Sequence, residues 1–88
     1  MSEDALAAKE ARILVLVTQL LHKRNLTARL APDLPLYDTG LSSLDMVNLM
    51  LAVEAEFDLE IPQQRMTPEN FRSVATIGRL VDTLVLSV

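Results

Sequence analysis

Leu6, Ile13, Leu16, Val17 and Leu20 recur at intervals of three, four and seven, with Lys9, Glu10, Arg12 and Gln19 set between them. That spacing predicts an amphipathic helix from about Asp4 to Lys23, although the run from Ile13 to Val17, read alone, also fits a strand. Residues 25 to 40 then collect Asn25, Pro32, Asp33, Pro35, Asp38 and Gly40. In a small domain so long a connection is either a functional loop or a crossover between helices. A second helix is expected from Ser42 to about Phe57. Ser42 as N-cap with Asp45 three residues on forms a capping box, which puts Ser43 at the first helical position. Pro62 forces the chain out of regular structure. Thr67-Pro68-Glu69 then opens a short helical turn, with Pro68 at its first position. Ser73 caps a last helix in which Val74, Ile77, Leu80, Val81, Leu84 and Val85 keep the helical period, and Gly78 inside it would allow a close helix crossing. The pattern is all-α: three longer helices, one short one, and a long loop between the first and second.

The second helix carries two apolar faces. At about 100° per residue, Met46, Leu49, Met50, Val53 and Phe57 share one side and form the core face. Leu44, Val47 and Leu51 follow each other on the opposite side, beside Asn48 and Ala55. A helix in so small a domain is not expected to be covered on both sides. The second stripe, flanked by Asp45, Glu54, Glu56 and Asp58, therefore reads as a docking surface, unless the first helix or the long loop covers it.

Composition narrows the classes. The 88 residues are half hydrophobic and contain no Cys and one His, which removes disulfide scaffolds, thiolate zinc sites and cysteine nucleophiles and leaves no metal site in view. One domain over residues 1 to 88, with its core at about 6 to 85, is all this length allows. The net charge of -4 is uneven. Residues 31 to 60 hold Asp33, Asp38, Asp45, Glu54, Glu56, Asp58 and Glu60 and no base, which disfavours nucleic acid and favours basic protein surfaces. No apolar run approaches the ~20 residues of a membrane span, and Ser2, Glu3 and Asp4 do not open a secretory leader. A cytoplasmic monomer without membrane contact is expected.

Ser43 is the candidate for chemistry. A hydroxyl at a helix N-terminus sits beside free backbone N–H groups and the positive end of the dipole, where an attached phosphate is favoured. Catalysis by this chain fits poorly. His22, the sole imidazole, precedes the long loop at a basic helix end, and no acid–base pair or ligand cluster accompanies it, so the chain does not read as an enzyme. Residues 33 to 45 lack the alternating oxygen ligands of a calcium loop. Asn25-Leu26-Thr27 matches a glycosylation triplet only by chance in a cytosolic chain.

Leu36-Tyr37-Asp38-Thr39-Gly40-Leu41-Ser42-Ser43-Leu44-Asp45, then Val47, Leu49 and the stretch Glu54 to Pro62, resemble the attachment site and second helix of acyl carrier proteins. Phe71, Ser73, Val74 and Ile77 resemble that family's short third helix and the start of its fourth. The resemblance implies a four-helix carrier bundle whose Ser43 receives covalent 4'-phosphopantetheine from CoA through a phosphopantetheinyl transferase. The arm's thiol would hold acyl or aminoacyl groups as thioesters, so the sulfur missing from the chain would come from the cofactor. Implied partners are adenylating ligases, acyltransferases or synthases, meeting Leu44, Asp45, Val47, Asn48, Leu51 and Glu54. Ser42, Asn48 and Ala55 stand where fatty-acid carriers usually have acids. Leu41-Ser42-Ser43 and Phe71 to Val74 look more like stand-alone carriers that accept amino acids, or D-alanyl and polyketide-type carriers. The competing reading is an unmodified helical adaptor in which Ser43 is only a helix N-terminal residue.

Overall fold

The computed structural model describes residues 3 to 86, and the side chains of 5 to 85. Residues 1, 2, 87 and 88 of the expected domain, Ser2 among them, lie outside the described residues. Helix α1 spans Glu3–Lys23, α2 spans Ser43–Phe57 and α3 spans Val74–Leu86, with 3-10 turns at Leu36–Thr39 and Gln63–Arg65. The Ile13 to Val17 run is helical. Ile13 and Val17 are fully buried while Val15 is half exposed, an inward period of four that no strand produces.

Both α1 and α2 stop by the same device. Asn25 (φ 56°) and Asp58 (φ 51°) adopt the left-handed conformation just past the helix ends. The following Leu26 and Leu59 N–H groups return to the carbonyls of Leu21 and Glu54, at 2.8 and 3.1 Å. Asn and Asp tolerate this conformation better than other side-chain-bearing residues, and the leucine after each folds back against the core.

The long connection is a crossover fixed at several points. Leu36 N–H donates to the Arg72 carbonyl and Ala75 N–H to that of Pro32, both at 2.7 Å, which stitches the loop to the start of α3. Leu36 and Leu41 are buried in the core. Gly40 turns the chain into α2 at φ 95°, where a Cβ would also press on Leu26 at 3.3 Å. In place of the expected short helix there is one capped turn: Asn70 N–H donates to Thr67 Oγ1 and Phe71 N–H to the Thr67 carbonyl, both at 3.2 Å. The turn cannot lengthen, because Ser73 already begins the cap of α3. Its Oγ accepts from Thr76 N–H at 3.2 Å, and Thr76 Oγ1 accepts from Ser73 N–H at 3.0 Å. Phe71 is the largest fully buried side chain, packed with Ile13, Val17, Met46, Leu49, Val53, Ile77 and Val81. Burial of aliphatic surface on this scale is the main stabilising term in a domain without disulfide or metal.

Candidate functional site

The two serines at the start of α2 are chemically unequal. Ser42 is the N-cap (φ -86°, ψ 172°). Its hydroxyl accepts from Asp45 N–H at 3.2 Å and donates to Asp45 Oδ2 at 3.0 Å, while Ser42 N–H donates to that same oxygen at 2.9 Å. Ser43 is exposed and its hydroxyl has no hydrogen bond among the described residues. Helix N-termini leave four N–H groups without intrahelical partners. Here that of Asp45 is taken by the Ser42 hydroxyl and that of Ser42 by the Asp45 carboxylate. Ser43 therefore carries a free nucleophilic oxygen at the positive end of a fifteen-residue helix, and does no capping of its own.

Asp45 departs from the sequence expectation. It was expected on the partner-facing surface, but it is only 5% exposed, turned inward by the capping box. Hydrogen bonds from the Ser42 backbone and hydroxyl, together with the Arg24 guanidinium at 3.4 Å, hold its carboxyl below the usual aspartate range against the opposing effect of burial. Arg24 itself stays half exposed. The set is suited to a phosphodiester on Ser43: a hydroxyl in solvent, a helix N-terminus, and a cation that offsets the one nearby carboxylate.

Leu44, Val47 and Leu51 are 70%, 49% and 56% exposed, so neither α1 nor the loop covers the second stripe. Asn48 is exposed too, but it also lines a groove between α2 and α1. Glu54 is half-buried, and its carboxylate accepts the Ile61 N–H at 2.7 Å, fastening the segment after α2. The acidic excess thus divides. Asp45 caps α2, Glu54 holds Ile61, Glu56 meets Arg12 Nε at 2.9 Å and Asp58 terminates the helix. Asp33, Asp38 and Glu60 remain solvated.

Sequence reasoning missed the arginines. Arg12 donates from Nη2 to the Glu56 carbonyl at 2.7 Å and lies 4.3 Å from the centre of the Phe57 ring, while Arg24 holds the other end of α2. These pairs join residues far apart in the chain, and no local pattern announces them. His22 is exposed in the last turn of α1, where a basic group complements the helix dipole. Among the described residues no cluster of three or more His, Cys, Asp or Glu could hold a metal ion, and no helix is long and apolar enough to cross a membrane.

Residues 11–84 match the family model described as a phosphopantetheine attachment site. The chain is 56% identical over 72 residues to aminoacyl carrier protein 1 of Bradyrhizobium diazoefficiens, covering 82% of this chain and 80% of that protein. It is 40% identical over 56 residues to the aminoacyl carrier protein of Agrobacterium fabrum, covering 64% of this chain and 68% of that one. Among solved structures it resembles a chain in the crystal structure of Bradyrhizobium japonicum glycine:carrier protein ligase complexed with glycylated carrier protein. That match has a TM-score of 0.78 at 48% identity and covers 83% of this chain and 97% of the other. A second similar chain comes from an engineered form of that ligase complexed with a carrier protein from Agrobacterium tumefaciens and ATP, with a TM-score of 0.66 at 31% identity, covering 81% and 97%.

Proposed function

Because the chain belongs to the phosphopantetheine-attachment family of carrier proteins, and so carries acyl groups on a covalent 4'-phosphopantetheine arm, we propose that Ser43 is the attachment residue and that the cargo is an amino acid. The observation that carries the first part is the inequality of the two serines. Ser42 has both its donor and its acceptor engaged with Asp45, whereas Ser43 has neither. The Ser43 oxygen would bond to the phosphorus that CoA delivers, the pyrophosphate bond of CoA would break with adenosine 3',5'-bisphosphate leaving, and the hydroxyl proton would go to a base of the transferase. This chain presents the hydroxyl and stabilises the resulting anion with the α2 dipole, while Arg24 offsets the neighbouring charge of Asp45. When bound, the arm supplies the thiol that the chain lacks, and that thiol takes the cargo as a thioester.

The amino-acid cargo is supported by relatives named as aminoacyl carriers and by a similar chain crystallised glycylated on its ligase. An adenylating ligase is accordingly the proposed loading partner, docking on Leu44, Val47 and Leu51, in the cytoplasm. The surface suits such a partner through apolar contact more than charge, since most acids along α2 are occupied within the domain.

Incubation with CoA and a phosphopantetheinyl transferase should add the mass of one phosphopantetheine, and Ser43→Ala should add nothing. A gain that survives Ser43→Ala, or none in the wild type, would reject the assignment. Val47→Glu should slow ligase loading at least tenfold while leaving helix content unchanged. A collapse of circular dichroism in that variant would instead make Val47 a packing residue.

A further inference from the structure

Beyond Pro62 the fold leaves arginines without carboxylate partners. Lys9, Arg12 and Arg24 each face a carboxylate, at 3.2, 2.9 and 3.4 Å. Arg65 and Arg79 make no ion pair among the described residues, although both border one cleft of about 170 Å³ between the Gln63–Arg65 turn and α3. Thr76, Arg79, Leu80 and Thr83 share one face of α3 along this cleft, at spacings of three, four and seven, and Leu80 is buried at its floor. Glu69 and Asn70 complete the lining. The Asn70 side-chain amide donates to the Arg65 carbonyl at 2.8 Å, which fixes the backbone that carries the half-buried Arg65.

We propose that this cleft is a docking site for an acidic segment of a partner protein, which seats an Asp or Glu side chain between Arg65 and Arg79. Three observations carry it. The first is sign. The chain has a net charge of -4 and solvated acids at Asp33, Asp38 and Glu60, so an acidic surface is repelled over much of the molecule and admitted where two guanidiniums stand unpaired. The second is size. The cleft is smaller than the roughly 300–1,000 Å³ of small-molecule pockets, which leaves room for a side chain and not for a cofactor. The third is the Glu69 carboxylate on the same cleft. A carboxylate guest carries one charge past it, whereas a phosphate dianion meets twice the repulsion. A nucleic-acid strand needs a row of cations, and two arginines on an acidic domain do not supply one.

No residue of the cleft belongs to α2, so a partner seated there leaves Ser43 and the Leu44, Val47 and Leu51 stripe free. Such a contact holds the carrier on one protein while another works at the start of α2. It does not depend on attachment at Ser43.

Titration of the full chain with a capped helical peptide of alanine and glutamate, followed by NMR, tests this directly. The arginine side-chain N–H signals of Arg65 and Arg79 and the amides of Asn70 and Thr83 should shift and saturate. Arg29 and Arg72, exposed arginines outside the cleft, should not move. Equal shifts at all exposed arginines, or none at the cleft, would overturn the proposal. The double variant Arg65→Gln and Arg79→Gln should weaken binding about fivefold, and Glu69→Gln should tighten it about twofold. Unchanged affinity in both would overturn it too. Should the double variant lose helix content by circular dichroism, Arg79→Gln alone, at an exposed position, should still weaken binding about twofold. Inorganic phosphate or a single-stranded RNA that binds the cleft more tightly than the peptide would replace the protein partner with a phosphate ligand and so reject the proposal.

Discussion

Along α3, helix α1 makes a tight crossing. Gly78 lets it approach until a Cβ there would lie 3.0 Å from Glu10 Cγ, and Lys9 and Asp82 pair at 3.2 Å, both largely shielded. Along α2 the same helix shares the buried core, where Ile13 and Val17 join Met46, Leu49 and Val53, but the outer edge of that seam is closed near its ends by arginines that remain half exposed, with a groove between. One seam is closed along its crossing, and the other leaves an open outer edge between two clasps. Continuous packing resists local opening, whereas clasps of exposed charge contribute little each and yield separately. Helix α2 is therefore attached to α1 by the more adjustable seam, and the proposed attachment serine, the exposed stripe and one wall of the groove all lie on it.

The largest effect should come from breaking the packed seam. Ile77→Ala, beside the crossing and fully buried, should cost about 2–5 kcal/mol and shift the whole urea transition, by fluorescence-free probes such as circular dichroism. If only α2 loosened in that variant, the contrast between seams would be wrong. Ser42→Ala should cost about 1 kcal/mol through the lost cap and raise amide exchange in the first turn of α2 before anywhere else. The same box should show in acid. Since folding lowers the Asp45 pKa, its contribution is fully present above the unfolded value of about 3.9 and disappears as pH falls through the lower folded value. The urea midpoint of the wild type should accordingly drop faster below about pH 4 than that of Ser42→Ala, with the two curves converging. Arg12→Ala should have the smallest effect, about 0.5 kcal/mol from the half-exposed ion pair and the stacking on Phe57, partly removed by salt. Its signature is faster exchange at the end of α2 with α3 unchanged.

What the sequence made legible was whatever a single helix decides for itself. The apolar period located α1, α2 and α3 within a residue or so, and Ser42 with Asp45 marked the start of α2 because capping is chemistry between near neighbours. The exposure of Leu44, Val47 and Leu51 also followed from counting faces against the size of the domain. The short helix at Thr67 shrank to a turn because Ser73 competes for the same backbone, a conflict visible only when both caps are placed together. Asp45 and Glu54 were expected to face a partner because both are charged and lie on α2. Each instead satisfies a backbone N–H, Asp45 at Ser42 and Glu54 at Ile61. The helix stops at Asn25-Leu26 and Asp58-Leu59 did leave a signal, a small polar residue followed by leucine, repeated at both ends. The arginine clasps left none.

The engaged hydroxyl of Ser42 has a geometric consequence. Neighbouring positions on a helix differ by about 100° in azimuth, so a graft on Ser42 would leave the domain in a direction quite unlike one on Ser43. On the proposed attachment at Ser43, engaging the first serine in the cap makes the bearing of the tether a property of the fold, set before any transferase arrives. A hydrogen-bonding device that begins a helix thereby also aims what the helix carries.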